Sequence, residues 1–185
     1  MYKRQVISSC RCWYNLIYFG HDPKLVRVLD GGLKKWKKEN KITNNETVST
    51  TPSNYKANEN KKLVKNKQEI DKNISENEFY VIDARSRERF EGKVAEPRKG
   101  LRSGSIKNSL CLPFVELINK DDHTFIAKDK IVEKFSSIGL DYNKNVIFSC
   151  GSGITASVLA LAYSLINAKY IPTIYDGSWS EYGKN

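Results

Sequence analysis

No stretch of this chain approaches the about 18 consecutive apolar residues of a membrane-spanning helix, which excludes an integral helical membrane protein. Its four cysteines, Cys10, Cys12, Cys111 and Cys150, build no framework. Cys10 and Cys12 stand two apart in an expected helix, on faces too divergent for a disulfide. No second pair stands at zinc-ligand spacing, so no structural metal is expected. Cysteines without a framework suit a reducing, cytoplasmic compartment. Arginine is scarce, at eight of the 31 basic residues. The formal charge of +10 therefore comes mostly from lysines scattered among Asn and Glu. That is a solvated surface, and no nucleic-acid partner is expected from it. The opening Met1-Tyr-Lys-Arg4 is basic, but Arg11 interrupts the apolar run and no small-residue cleavage site follows, so no signal peptide is expected. A length of 185 residues gives room for one domain, or one and a fraction.

What is there centres on residues 145–162. Val146, Ile147 and Phe148 are a short apolar run, expected as a buried strand. Beyond Thr155, Val158, Leu161, Ala162, Leu165 and Ile166 recur at helical spacing. Between strand and helix stands Cys150-Gly151-Ser152-Gly153. Two glycines let the backbone curl so that successive N–H groups face one anion, and the following helix adds its positive end. A thiol held there is expected to react as the thiolate. The plainer reading is a buried, inert cysteine; the Gly-Ser-Gly turn opening a helix favours the reactive one. Phosphatase chemistry is excluded by spacing, because the phosphate-clamping arginine it needs is replaced by Ala156.

Earlier in the chain, Ser8 or Ser9 is placed to cap a helix that carries Trp13, Leu16, Ile17 and Phe19 and ends at Gly20. Val26-Arg-Val-Leu29 is expected as a strand. Leu33 and Trp36 share one face of a second helix, with Lys34, Lys35, Lys37 and Lys38 on the solvated face. Residues 41–66, rich in Asn, Thr, Ser and Lys, read as a linker or wrapping segment. A short helix over Gln68–Ile74 and a strand over Phe79–Ile82 follow. A long polar loop over 86–109 comes next, of the kind that is usually functional. It leads to a strand over Leu110–Leu112 and a helix capped by Asp129, with Ile131, Phe135 and Ile138 on one face. From residue 79 the order is β, loop, β, α, β, cysteine loop, α, β. That order implies an α/β fold with a mostly parallel sheet flanked by helices. Ligands in such folds sit at the carboxyl ends of the strands, where Cys150 stands. The final strand, Thr173–Tyr175, runs into Asp176-Gly-Ser-Trp179, an echo of Leu29 running into Asp30-Gly-Gly and Trp36. The echo suggests a repeat, with residues 1–40 the tail of a first unit.

The scarce arginines are concentrated. Arg85, Arg87, Arg89, Arg98 and Arg102 fall within eighteen residues. Arginine grips a carboxylate with paired hydrogen bonds; the competing reading is salt bridges to Glu88, Glu91 and Glu96.

Cys150-Gly-Ser-Gly-Ile-Thr155-Ala resembles the active-site loop of the rhodanese superfamily, and within it the 3-mercaptopyruvate sulfurtransferases, which carry Cys-Gly-Ser-Gly-Val-Thr-Ala. Thiosulfate sulfurtransferases of that fold usually carry Arg and Lys after the cysteine, so Gly151 and Ser152 favour a less charged donor. Asp83-Ala-Arg85, Arg89-Phe-Glu-Gly92, Glu96-Pro-Arg98 and Tyr175-Asp-Gly-Ser-Trp179 are similar to the same family. So are Phe19-Gly-His21 and Asp30-Gly-Gly-Leu33 with Trp36. Ser105 and Cys111 depart from it, standing where His and Asn are usual.

The resemblance implies a rhodanese-like fold. Residues 1–42 would be the tail of a non-catalytic first domain truncated at its start, 43–66 a linker, and 67–185 the catalytic domain. It implies a sulfur carrier at Cys150 and a proton-handling Ser152. Donor contacts would come from Arg89, Arg98 and the loop residues Gly151, Gly153, Ile154 and Thr155, with Thr155 also capping the helix. His21 and His123 lie in no matching motif and carry no expected role. The implied partners are a small sulfur donor and a thiol, thioredoxin-like or cyanide acceptor, with no metal or organic cofactor. The alternatives are a thiosulfate-using enzyme, and a weakly active or binding module in which a partner or second copy covers the incomplete first domain.

Overall fold

The computed structural model describes residues 3–184, with side chains from residue 6 onward; Met1 and Tyr2 of the basic opening lie outside them. Five strands pair in parallel throughout, in the order β1-β5-β4-β2-β3. They are β1 (Val64–Lys65), β2 (Phe79–Asp83), β3 (Leu110–Cys111), β4 (Asn145–Ser149) and β5 (Ile174–Tyr175). The two long strands run side by side, with Phe79 opposite Asn145 and Asp83 opposite Ser149. Side chains alternate across the sheet. Ile82, Phe148 and Ile174 face one core, while Val81, Ile147 and Tyr175 face a second.

The larger core lies under three helices: α1 (Lys3–Tyr18), α5 (Lys128–Ser136) and α6 (Ala156–Ile166). From Ala156 through Tyr163 every residue of α6 is buried. A helix so apolar all round needs neighbours all round, and α1, α5 and β4 supply them. Cys10, Trp13, Tyr14 and Ile17 form the inner stripe of α1 at helical spacing. The Tyr14 hydroxyl donates to the Leu63 carbonyl, 2.6 Å away, and so ties α1 to the segment just before β1. On the other face, α3 (Lys67–Glu76) brings Ile70, and the five-residue α7 (Ser178–Tyr182) brings Trp179. The short helices α2 (Gly32–Lys38) and α4 (Arg87–Phe90) complete the fold.

Several sequence expectations are corrected. Val26–Leu29 forms no strand, because no neighbouring strand offers it a ladder; Val26 packs on the core and Leu29 is exposed. The repeat therefore reaches helix and Asp-Gly but not strand. Helix α1 begins at Lys3, so Ser8 and Ser9 are interior rather than capping. Asp129 lies inside the first turn of α5, whose cap position, Ala127, makes no side-chain bond. Thr155 occupies the cap position of α6 without a capping hydrogen bond. The segment read as linker ends in β1, a two-residue edge strand beside β5. Among the described residues no helix is long and apolar enough to cross a membrane.

Tyr14→Phe removes a buried hydrogen bond to the Leu63 carbonyl. It is expected to lower the unfolding free energy by about 1–2 kcal/mol, read as a lower urea midpoint at unchanged slope.

Candidate active site

Cys150 follows directly on β4 and is almost wholly buried, 2% exposed. Its loop is fastened by the turn after β5. The Ser178 hydroxyl accepts the Cys150 and Gly153 N–H groups at 3.1 and 3.0 Å and donates to the Tyr175 carbonyl at 2.7 Å. The Cys150 and Gly151 carbonyls accept from the Trp179 and Ser180 N–H groups, both at 2.9 Å. The fastening residue stands in a left-handed conformation, φ +49°, and is fully buried. Non-glycine residues hold such a backbone only where their surroundings impose it.

At the sulfur itself, the Ser152 N–H donates to Cys150 Sγ at 3.4 Å. Gly153 does not share in this: its N–H is taken by Ser178. Its part is conformational, with φ +75° and no room for a Cβ, which would lie 2.5 Å from Asp176 Oδ1. Gly151 makes room in another way. A Cβ there would come within 3.1 Å of Arg89 Nη2, so the missing side chain admits a guanidinium from across the cleft.

The arginine-rich segment divides by function. Arg85, its side chain 1% exposed, is clamped by Asp83, by Glu96 at 2.8 Å and by the Gly104 carbonyl at 2.9 Å. Burial alone would raise the Glu96 carboxyl, but hydrogen bonds and charges from Arg89 and Arg85 hold it below its ordinary range. Glu96 binds Arg89 with both oxygens, Nε–Oε1 at 3.1 Å and Nη2–Oε2 at 2.6 Å, leaving Arg89 Nη1 uncommitted to it. Arg87 pairs with Glu116 on the surface. The Arg85 and Arg102 guanidiniums each lie 4.5 Å from the Trp179 ring centre. Both are favourable cation–π contacts that help to hold the indole in place. The salt-bridge reading thus holds for Arg85 and Arg89 through Glu96, while Arg87 pairs instead with Glu116; among the described residues Glu88 and Glu91 form no ion pair with arginine.

Arg89, Arg98, Cys150, Gly151, Ser152, Ile154 and Thr155 line one cleft of about 290 Å³, together with Ile7, Glu96, Pro97 and Leu101. Arg98 is exposed at its rim, and none of the ion pairs among the described residues involves it. Burial pushes the Cys10 thiol up to about 12. Burial, then Asp83, pushes Cys111 up to about 12. His21 stacks edge-on against Tyr55, away from the cleft. Among the described residues no group of three or more His, Cys, Asp or Glu is placed to hold a metal.

A model described as the rhodanese-like domain matches residues 66–185. The chain belongs to that family. It is 34% identical over 178 residues to the 3-mercaptopyruvate sulfurtransferase of Escherichia coli K12, covering 96% of this chain and 62% of that protein. It is 32% identical over 200 residues to thiosulfate/3-mercaptopyruvate sulfurtransferase 1, mitochondrial, of Arabidopsis thaliana, covering 96% and 51%. The solved structure of the Tum1 protein from Saccharomyces cerevisiae superposes with a TM-score of 0.82 at 26% identity, covering 96% and 63%. The chain therefore spans between about half and two-thirds of the length of these relatives.

Three residues escaped the sequence reading as parts of this rhodanese-like site. Glu96 read as a surface partner, yet its side chain is 2% exposed and orders two arginines. Ser178 and Trp179 were visible only as a motif after β5. The signal available was their position: a polar–aromatic pair at the carboxyl end of a strand beside the cysteine strand.

Glu96→Gln removes the charge that two guanidiniums share, and breaking such a buried pair costs about 3 kcal/mol. The folded carboxyl is held low, so its contribution is complete above the ordinary Glu range, about 4.3. It is lost as pH falls through the lower folded value. Urea titrations of wild type and Glu96→Gln from pH 7 to 3 should show a constant gap that closes only at the acid end.

Proposed function

We propose that this rhodanese-family chain is a sulfurtransferase that takes sulfur from 3-mercaptopyruvate onto Cys150 and passes it to a thiol, thioredoxin-like or cyanide acceptor. The supporting observation is the set of cations in the cleft. Arg89 and Arg98 line it, Arg89 already paired with Glu96, while Gly151 and Ser152 add no cation beside Cys150. That favours a donor with a single carboxylate over the thiosulfate dianion. Arg89 Nη1 and the Arg98 guanidinium are the donors free to hold that carboxylate and the adjoining carbonyl.

In the first half-reaction the Cys150 sulfur, as thiolate, attacks the sulfur of the bound donor. An S–S bond forms and the donor C–S bond breaks, its electron pair remaining on carbon as the pyruvate enolate. The Cys150 sulfur is oxidised and the donor carbon reduced, with no outside redox partner. The donor's thiol proton passes by way of Ser152 to the enolate, giving pyruvate and a Cys150 persulfide anion. Loop N–H groups, with that of Ser152 already on the sulfur, steady the anion. An acceptor thiolate or cyanide then removes the outer sulfur and restores the Cys150 thiolate.

A second reading draws on the open apolar groove of about 790 Å³ on the opposite side of α1, lined by Trp13, Ile17, Val26, Leu29, Leu161 and Leu165 among others. On that reading the chain is an inactive or weakly active rhodanese-like module that needs another polypeptide seated there.

Pyruvate release from 3-mercaptopyruvate with cyanide, run beside thiosulfate, tests the first reading. Turnover should favour mercaptopyruvate and vanish in Cys150→Ser. Arg89→Met should raise KM about 10- to 100-fold, the loss of one charge-assisted contact. A folded wild type without turnover on either donor leaves the second reading in place. Faster turnover on thiosulfate reverses the donor assignment.

A further inference from the structure

The Cys150 loop is held from a second side by a residue outside the segment that matches the rhodanese-like domain. Arg11, on α1, donates from Nη1 to the Gly153 carbonyl at 3.3 Å and pairs through the same nitrogen with Asp176. Asp176 follows directly on β5 and presses against Gly153 so closely that a Cβ there would meet its carbonyl at 2.9 Å. Three distant segments thus meet at one residue. The Gly153 N–H is fixed by Ser178 and its carbonyl by Arg11, with Ser157 Oγ at 3.4 Å. In a trans peptide the carbonyl and the following N–H point in opposite directions. Whatever holds the Gly153 carbonyl toward α1 therefore turns the Ile154 N–H away from α1, and Ile154 lines the cleft. One turn earlier on the same helix, Ile7 lines that cleft directly.

We infer that Arg11 is a positioning residue for the Cys150 loop, holding the Gly153–Ile154 peptide so that its N–H serves the sulfur anion. The inference rests on the reading of Cys150 as the sulfur carrier. Arg11 itself touches neither sulfur nor donor. The docking of α1 does not depend on it, because Cys10, Trp13, Tyr14 and Ile17 are the buried stripe. Asp176 is partly solvated, with its side chain 46% exposed, so losing Arg11 strands no buried charge.

The test is amide hydrogen exchange by mass spectrometry on the full chain, with steady-state kinetics on the same preparations. In Arg11→Met, exchange across residues 151–156 should quicken about five- to tenfold, while β2 and β4 exchange as in wild type. The kcat should fall by a similar factor with the donor KM unchanged, and Arg11→Lys should recover part of both. Tyr14→Phe, which removes the hydroxyl bond to Leu63 but keeps the ring that lies 5.5 Å from the Arg11 guanidinium, should leave loop exchange near wild type. Unchanged loop exchange in Arg11→Met would overturn the inference. So would quickened exchange throughout the sheet, quickened loop exchange with kcat intact, or an equal loop effect in Tyr14→Phe. Should wild type show no turnover, the proposed activity fails, while exchange still decides whether Arg11 holds the loop.

Discussion

Parallel pairing delivers the carboxyl ends of β2, β4 and β5 to one edge of the sheet, and every group in the cleft except Ile7 is hung from that edge. The register sets Asp83 opposite Ser149, and the ladder continues one step further through the Ala84 N–H to the Ser149 carbonyl at 2.9 Å. Arg85 and Cys150 therefore leave the sheet side by side. One strand over, β5 ends at Tyr175, which places Asp176 and Ser178 against Gly153. A register slip by one residue would turn each strand's side chains over. It would send the arginine segment to the wrong face of the cysteine loop.

Long strands and continuous periodicity were legible in the sequence because they rest on local chemistry. The run 146–148 and the apolar helix after Thr155 each declare themselves within about one turn or one strand. The cysteine loop was legible for the same reason, since two glycines around a serine permit a tight curl that other residues resist. What was not legible depends on partners far along the chain. Val26–Leu29 has the composition of a strand, and composition cannot say that no ladder stands beside it. Strand β1 has two residues, too few for any alternation, and exists because β5 lies next to it. The burial of Glu96 follows from Arg85 and Arg89 closing over it, a contact that no pattern within the 86–109 loop announces.

The buried ion group of Asp83, Arg85, Glu96 and Arg89 is formally neutral, two carboxylates against two guanidiniums. Desolvating four charges is costly, and apolar packing in their place would be as stable or more so. What the charges provide is direction. Paired hydrogen bonds fix the guanidinium planes in a way that apolar contact does not. Arg89 comes to rest against Gly151, and its remaining donors stay aimed into the cleft. Trp179 works on both sides of this arrangement. Its indole contacts the guanidiniums of both Arg85 and Arg102, while its backbone N–H holds the Cys150 carbonyl. One residue thus touches both the arginine segment and the cysteine loop.

Grip on the cysteine loop comes from two directions that differ in chain economy. The contacts from α7 are local in space and need only the turn after β5. The contact from Arg11 spans 142 residues of sequence to Gly153, and ordering so long a loop is justified only if the helix is held for other reasons. It is: the stripe of α1 lies in the same core as Ile82, Phe148 and Leu159, and uncovering it would expose the apolar flank of α6. Each large buried side chain in that stripe contributes about 1.5–3 kcal/mol of burial, far more than an ion pair at a half-exposed aspartate. Apolar packing thus supplies the energy that keeps α1 in place, and Arg11 turns that placement into orientation of a single peptide. A polar contact this weak could not recruit a helix, but on a helix already docked it need only choose between peptide orientations, for which a small free energy is sufficient.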